Sequence, residues 1–132
     1  MSIRRVAIIF DNTARPDTTG VYCRKALGEL VEVAHFLPGD LGQVPAGKFD
    51  LYLNIDDGLR YRLPERLRPS VWWAIDTHMD FAWYRTKAPE FDLVFTAQRD
   101  GAERISNTTT AMPATTPTAA ATGPSRLKGW RK

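Results

Sequence analysis

The stretch that decides the fold is Val71–Phe95, VWWAIDTHMDFAWYRTKAPEFDLVF. It begins with the apolar run Val71–Ile75 and ends with a second apolar run at Asp92–Phe95. Short apolar runs of this kind predict strands that are buried on both faces, as in a parallel sheet. Between the two runs, Asp80–Lys87 predicts a helix that ends before Pro89, because a residue that precedes proline avoids the helical region. The stretch therefore predicts a strand, a helix and a second, parallel strand.

The residues before this stretch repeat the same alternation. Three further apolar runs predict strands, at Arg4–Phe10, Val31–Leu37 and Asp50–Ile55. Helical spacing of apolar residues predicts a helix at Gly20–Leu30, and another helix begins at Gln98–Ile105. Gly and Pro predict a loop at Pro38–Gly47, and a polar segment predicts a single helical turn around Pro64–Arg68. The alternation predicts an α/β fold: a Rossmann-like parallel sheet of about five strands flanked by helices.

Composition divides the 132-residue chain at residue 105. Residues 1–105 carry 14 cations and 15 acids, whereas residues 106–132 carry four cations and no acid. The segment Asn107–Thr122 consists almost entirely of Thr, Ala and Pro and has no hydrophobic period, so burial cannot offset the entropy of ordering it. We therefore expect one domain at 1–105 and a disordered, low-complexity tail at 106–132. Since the excess of cations belongs to the tail, we expect no nucleic-acid partner.

The single cysteine and the amino terminus bear on the compartment. Cys23 has no second cysteine with which to form an internal disulfide or a cysteine metal cluster. The apolar run Val6–Phe10 is too short for a signal peptide or a membrane span. We therefore expect a cytoplasmic protein with no membrane span.

Polar side chains follow four of the predicted strands at the point where each strand ends. In an open α/β sheet, ligands bind outside the carboxyl ends of the strands. The agreement across four strand ends therefore predicts a ligand site at this edge of the sheet. The candidate residues are Asp11 and Asn12 after the first strand, Asn54 and Asp56 after the third, Asp76, Thr77 and His78 after the fourth, and Gln98, Arg99 and Asp100 after the fifth.

Asp76-Thr77-His78 is the most suggestive of these sets and permits three interpretations. An aspartate two residues from a histidine can hold the ring in one tautomer for use as a general base. Alternatively, Asp76 caps the next helix while His78 forms a hydrogen bond to the backbone. The pair also suits a metal ion, but no third ligand is evident, and we expect no metal or other cofactor.

Two other groups of residues have both a structural and a functional interpretation. Asp56-Asp57-Gly58 is typical of a plain turn, because Asp and Gly are favoured turn residues, although an aspartate pair also suits a metal. Trp72 and Trp73 fall within a predicted strand, so at least one of them belongs to the core. The aromatic residues after the histidine are better candidates for a pocket wall against a sugar or base ring: Phe81, Trp83 and Tyr84.

Several common site motifs do not occur. The chain has no GxxxxGK phosphate loop, no GxGxxG after the first strand and no GxSxG nucleophile turn. A nucleotide bound on the first helix in the dinucleotide manner and a hydrolase triad therefore have no support. A phosphorylatable receiver domain needs a lysine after its last strand, and none follows Phe95 before the tail.

The stretch Val71–Ile105 resembles the CgeB-like (spore maturation protein type) glycosyltransferases. Two motifs carry the resemblance: Asp76-Thr77-His78 at one strand end, and FTAQRDG at Phe95–Gly101 after the next strand. The opening strand, the polar loop that follows it and Gly20 are also similar. The resemblance covers residues 4–105.

This resemblance implies a GT-B fold, in which two Rossmann-like domains face a cleft. In such enzymes the N-terminal domain mostly contacts the acceptor, the C-terminal domain mostly binds the nucleotide-sugar, and transfer usually needs no bound metal. By position, Asp76 and His78 would face the cleft from the acceptor side, with His78 as base or acceptor contact oriented by Asp76. Gln98, Arg99 and Asp100 would lie along the same rim.

The chain departs from the family after Ile105. A family member would complete a helix and continue into a second domain, whereas here a Thr/Ala/Pro segment follows. We therefore expect a truncated glycosyltransferase, of which a frameshift is the favoured origin. This acceptor-side domain would bind a sugar or glycan acceptor, would be inactive alone, and would use a nucleotide-sugar only if a donor domain were supplied. The alternative is a non-catalytic single-domain α/β binding module or a sugar-binding remnant.

Overall fold

The computed structural model of the chain describes residues 2–109, which form one five-stranded sheet with α-helices on both faces. The strand order is β2-β1-β3-β4-β5, and every neighbouring pair is parallel. This Rossmann-like α/β arrangement confirms the fold class that the sequence predicted. The strands are β1 (Arg5–Ile9), β2 (Glu32–Phe36), β3 (Leu51–Ile55), β4 (Ser70–Ala74) and β5 (Leu93–Thr96).

The helices are α1 (Thr19–Gly28), α2 (Phe81–Lys87) and α3 (Arg99–Thr109). α1 connects β1 to β2, α2 lies between β4 and β5, and α3 follows β5. Among residues 2–109, no helix has both the length and the apolar character that a bilayer crossing requires. The predicted tail at 106–132 overlaps the last turn of α3, and beyond Thr109 the prediction lies outside the described residues.

One connection differs in local structure from what its composition suggested, and a second agrees with its prediction. The predicted loop at Pro38–Gly47 contains a short 3-10 helix, Pro38–Gln43, because the fixed φ of Pro38 suits a first helical position. The β3–β4 loop, residues 56–69, contains no helix. Its predicted helical turn is a single turn in which the Leu67 N–H donates to the Pro64 carbonyl at 3.0 Å. The position of the β3–β4 loop therefore depends on its tertiary contacts.

The sheet buries two apolar layers. On the α1 face, Ile8, Phe10 and Ile55 form a cluster against which α1 packs. On the opposite face, a larger cluster includes Trp72 of β4 and Tyr84 of α2, which stack with ring centroids 5.1 Å apart. Because side chains alternate along a strand, Trp72 is core while Trp73 faces the other side and is half-buried.

Two glycines let helices approach the carboxyl edge of the sheet closely. A Cβ on Gly20 of α1 would lie 2.4 Å from the ring of Phe10, and a Cβ on Gly101 of α3 would lie 2.2 Å from Thr77 Oγ1. Real carbon atoms do not approach so closely, so any larger residue would displace the helix. These contacts fix α1 and α3 beside the strand ends that the sequence marked as the site.

The order in which strands are added to the sheet reverses between β1 and β3. From β1 the chain leads outward to β2 through α1, while β3, β4 and β5 extend from the opposite side of β1. Such a switch point opens a crevice at the carboxyl ends of the two strands, where α/β proteins commonly bind ligands. Candidate ligand sites are therefore expected at the carboxyl ends of β1, β3 and β4.

Candidate functional site

A cleft of about 270 Å³ opens at the carboxyl ends of β3 and β4. One side is formed by the β3–β4 loop and the other by the segment after β4 and the start of α2. The cleft lies just below the range of roughly 300–1,000 Å³ that small-ligand sites occupy, and it combines a few polar groups with aromatic side chains as such sites do. The lining residues are Asp56, Gly58, Leu59, Arg60, Asp76, Met79, Asp80, Trp83 and Tyr84.

Asp56 connects the two sides of the cleft. Its Oδ2 accepts hydrogen bonds from the backbone N–H groups of Ile75 at 3.0 Å and Asp76 at 3.2 Å, and from the Tyr84 hydroxyl. Burial and the hydrogen bond to Asp56 raise the pKa of Tyr84 far above its usual range. Tyr84 is therefore a fixed neutral donor, and Asp56 is positioned as an acceptor at the floor of the cleft.

Asp76 has an exposed side chain that lines the cleft. Its backbone carbonyl accepts a hydrogen bond from the Met79 N–H at 2.9 Å, which starts the short 3-10 helix Thr77–Met79, but its carboxylate caps no helix. The cap of α2 is Asp80 instead, whose carboxylate accepts from the Trp83 N–H at 3.2 Å. The Asp76 carboxylate is thus available to a ligand.

His78 does not line the cleft. It is exposed within the 3-10 helix, and no hydrogen bond joins its ring to the Asp76 carboxylate in the described part of the chain. Thr77, between the two, is buried and donates to Gln98 Oε1 at 3.1 Å. The structure therefore brings together Thr77 and Gln98, while the predicted partnership of Asp76 with His78 stays a prediction.

Arg60 and Trp83 form the outer part of the cleft. The guanidinium of Arg60 lies 5.4 Å from the Trp83 ring centroid and pairs with the carboxylate of Asp80. A guanidinium stacked on an indole is attracted by the ring quadrupole. Trp83 and Tyr84, proposed from the sequence as pocket wall, line the cleft, whereas Phe81 lies beneath the guanidinium of Arg104.

The carboxyl ends of β1 and β3 are closed by a second group of residues, here called the sealed junction: Asp11, Asn54, Asp57 and Tyr61. Asp57 accepts hydrogen bonds from the Asp11 N–H at 2.8 Å, the Leu59 N–H at 3.0 Å and the Tyr61 hydroxyl at 3.2 Å. Burial raises the pKa of Asp57, although these hydrogen bonds oppose the rise. The carboxylate therefore occupies the crevice where a ligand of an open α/β sheet commonly lies.

Asn54 is the inner member of the sealed junction and is fully buried. Its Nδ2 donates to the Ile9 carbonyl at 3.1 Å and to the Tyr61 hydroxyl at 2.6 Å. Its Oδ1 is buried and has no hydrogen-bond partner among residues 2–109. The predicted site residue Asn54 thus joins β1 to the β3–β4 loop and does not line the cleft.

The remaining predicted residues lie outside the cleft. The Asp11 carboxylate accepts from the Thr13 hydroxyl at 2.6 Å, and this bond lowers its pKa, while Asn12 lies beside it in the same loop. Arg99 pairs with Glu103 within α3, and Asp100 is exposed in the first turn of that helix. Of the ten predicted residues, Asp56 and Asp76 line the cleft.

Sequence reasoning missed Lys87, a buried lysine between the cleft and the sealed junction. It is 2% exposed, and its ammonium lies 4.1 Å from the Tyr61 ring centroid and 4.9 Å from that of Trp72. Burial lowers its pKa to about 8. The available signal was its helical spacing from the aromatic residues Trp83 and Tyr84, which places the three on neighbouring positions of α2.

Comparison of the chain with protein-family models, with curated proteins and with solved structures finds no match. Among residues 2–109, no three His, Cys, Asp or Glu side chains converge as a group that could hold a metal ion. Hydrogen-bonding carboxylates and aromatic faces are what the cleft offers to a ligand.

Proposed function

We propose that this chain is the acceptor-side domain of a GT-B type glycosyltransferase and that its cleft binds the sugar or glycan acceptor. One observation carries the proposal: the cleft at the carboxyl ends of β3 and β4 combines the carboxylates of Asp56 and Asp76 with the indole of Trp83. Its position agrees with the CgeB-like resemblance, because the motif Asp76-Thr77-His78 supplies part of its rim.

The chemistry of the cleft suits a polyhydroxylated ligand. Carboxylate oxygens accept hydrogen bonds from hydroxyl groups, and the Asp76 carboxylate has no competing partner among the described residues. The indole of Trp83 and the apolar side chains of Leu59 and Met79 offer surface to the C–H faces of a sugar ring. At about 270 Å³ the cleft has room for one sugar ring.

In this proposal Asp76 contacts the acceptor hydroxyl and is the better placed general base, since it lines the cleft. His78, at the exposed end of the same short helix, takes part if the loop moves when the acceptor binds. We assign donor binding to a second domain, since no GxGxxG phosphate loop follows β1 and Asp57 occupies the β1–β3 crevice. The nucleotide-sugar is then a partner of the assembled enzyme, and this domain alone transfers no sugar.

Binding of simple sugars tests the proposal directly. The indole N–H signals of the protein would be followed by NMR during titration with the methyl glycosides of glucose, galactose, mannose and N-acetylglucosamine. We expect saturable binding of at least one, weakened about tenfold, or ~1.4 kcal/mol, by Trp83→Ala and by Asp76→Asn. Tyr22→Ala is the matched control, because Tyr22 is an exposed aromatic residue on α1 and does not line the cleft.

Two results would contradict the acceptor site. Either no glycoside perturbs any tryptophan signal at millimolar concentration, or binding persists unchanged in both cleft variants. In the second case the sugar binds elsewhere on the chain.

A non-catalytic binding module is the second candidate, and one observation favours it: every residue that lines the cleft belongs to this single domain. A complete binding site within one domain needs no second domain for affinity. The two functions differ in one experiment. A GT-B donor domain supplied in trans with a nucleotide-sugar yields a glycosylated product in the first case, and leaves binding without turnover in the second.

A further inference from the structure

Lys87 links the two sides of the cleft although it does not line it. It lies in the last turn of α2, the helix that also carries Trp83 and Tyr84 of one cleft side. Its ammonium contacts the ring of Tyr61, which belongs to the β3–β4 loop that forms the other side. Because this loop contains no helix, its position depends on contacts of this kind.

The surroundings of the ammonium are aromatic. Beyond Tyr61 and Trp72, it lies 6.0 Å from the Trp83 ring centroid and 5.8 Å from that of Phe91. In the part of the chain that the structure describes, it forms no ion pair closer than 4.0 Å. A desolvated ammonium over aromatic faces gains a cation–π attraction that exists only while the group is charged.

The contact of Lys87 with Tyr61 extends to the sealed junction. The Tyr61 hydroxyl accepts from Asn54 and donates to Asp57, and Asp57 accepts from the Asp11 backbone. The ammonium thus contacts a ring whose hydroxyl is bound to Asn54 of β3 and to Asp57. A change in the charge of Lys87 would therefore act on this ring while its hydroxyl stayed bound.

We propose that Lys87 is a positioning residue whose charge sets the separation of α2 and the β3–β4 loop, and with it the shape of the cleft. With the ammonium charged, the cleft has the shape described above. When the amine loses its proton, the cost of burying the charge disappears, and the loop residues Gly58–Arg60 move towards Trp83 of α2.

The charged groups that face Lys87 come from two segments, the β3–β4 loop and the 3-10 helix Ala88–Glu90. Asp56 and Asp57 of the β3–β4 loop and Glu90 of the 3-10 helix Ala88–Glu90 favour the protonated amine, while Arg62 disfavours it. Glu90 is itself paired with Arg62, which reduces its effect on Lys87. Burial outweighs the carboxylates and lowers the pKa of Lys87 to about 8, so the change falls just above neutral pH.

Fluorine NMR of protein labelled with 5-fluorotryptophan tests this inference without a ligand, so its outcome is independent of the proposed function. Substitution of Trp83 by Phe assigns its resonance among the four tryptophans. Selective carbon labelling of the lysines reports Lys87 in the same samples. In the wild type we expect the Trp83 and Lys87 signals to titrate together with a midpoint near pH 8.

Three variants separate the charge of Lys87 from its packing. Lys87→Arg stays charged, so its Trp83 signal should keep the position of the neutral-pH form up to pH 9.5. Lys87→Met should show the high-pH position throughout, without titration. Lys48→Met is the control at an exposed lysine and should titrate as the wild type does.

A Trp83 signal that stays constant while Lys87 titrates would overturn the inference, as would a Trp83 titration that survives in Lys87→Met. If Lys87→Met does not fold, the paired titration of the wild type and the behaviour of Lys87→Arg decide between the same two outcomes.

Discussion

Two adjacent aspartates, Asp56 and Asp57, lie at neighbouring gaps between strand ends, and one gap is open while the other is closed. Asp57 turns towards β1 and fills the β1–β3 crevice, where it binds the Asp11 backbone and the Tyr61 hydroxyl. Asp56 turns towards β4, binds the backbone of Ile75 and Asp76, and leaves a cleft above it. One gap is closed by a carboxylate from within the protein, and the other is held open by a carboxylate at its floor.

The comparison shows that strand order alone does not locate the open cleft. The reversal of strand order between β1 and β3 would place a ligand at the sealed junction, because that is where the crevice of an open α/β sheet forms. Here the carboxylate of Asp57 accepts the hydrogen bond of the Asp11 backbone N–H in that crevice. The open cleft lies one strand further along the sheet, at the carboxyl ends of β3 and β4. We expect substitutions in the sealed junction to affect stability, and substitutions in the cleft to affect binding.

Asp57→Ala should have the largest effect on stability. It leaves the Asp11 N–H and the Tyr61 hydroxyl without their acceptor, and we expect the free energy of unfolding to fall by about 3 kcal/mol. Urea denaturation at pH 7 measures the change, with Asp76→Ala in the cleft as the matched control. A loss smaller than that of Asp76→Ala would show that Asp57 does not close the crevice.

Lys87, which lies between the two regions, should make stability depend on alkaline pH. Its pKa is about 8 when folded and near 10.5 when unfolded, so between these values the unfolded chain binds more protons and stability rises with pH. Relative to Lys87→Met, the wild type should gain about 2 kcal/mol between pH 7 and pH 9.5.

The comparison with Lys87→Met removes opposing contributions. Folding raises the pKa values of three other groups, Cys23, Tyr61 and Tyr84. Each of them therefore lowers the stability of the protein as the pH rises above the pKa that the group has in the unfolded chain. Both proteins contain these groups, and their effects cancel in the difference. Urea denaturation across this pH range measures the free energy of unfolding of both proteins. If the two pH profiles are parallel, the pKa of Lys87 is not lowered by folding.

Removal of the hydroxyl should cost more stability at Tyr61, in the sealed junction, than at Tyr84, in the cleft. Tyr61→Phe removes the hydroxyl from a buried network in which Asn54 already has one unpartnered oxygen, and should cost about 1.5 kcal/mol. Tyr84→Phe should cost about 0.5 kcal/mol, because Asp56 keeps two backbone donors. Thermal unfolding of both variants ranks them, and a reversed order would mean that the cleft is the more tightly bonded region.

Asp76→Asn should have the smallest effect on stability. Its exposed carboxylate caps no helix, so the free energy of unfolding should stay within ~0.5 kcal/mol of the wild type. Glycoside binding, measured by the tryptophan NMR titration, should nevertheless weaken. A large loss of stability would place Asp76 among the structural residues and remove it from the proposed acceptor site.

Local patterns in the sequence predicted most of the fold. The predicted ends of the five strands differ from the observed ends by at most one residue, since buried strands need continuous apolar runs. The rule that polar residues gather at strand ends also predicted Asp56 and Asp76, which line the cleft. It did not distinguish them from Asn54 and Thr77, which have the same residue character but are buried in the fold.

The residues that sequence patterns missed act through contacts between distant segments. Tyr61 lies in a loop without periodicity, and Lys87 resembles any charged residue at the end of an amphipathic helix. The ring and the ammonium meet only because α2 packs beside the β3–β4 loop. Asp57 was interpreted as part of a plain turn, and its hydrogen bond to Asp11 spans 46 positions.

The amino-acid sequence by itself determined the parallel α/β sheet and the edge of that sheet at which polar side chains gather. The spacing of apolar residues and the residue types at strand ends are local properties, so a short run of consecutive residues is enough to show them. Only the tertiary structure decided which gap at that edge is closed and which is open. That choice depends on the opposite directions of the Asp56 and Asp57 carboxylates, which are set by donors from β1, from the segment after β4 and from α2.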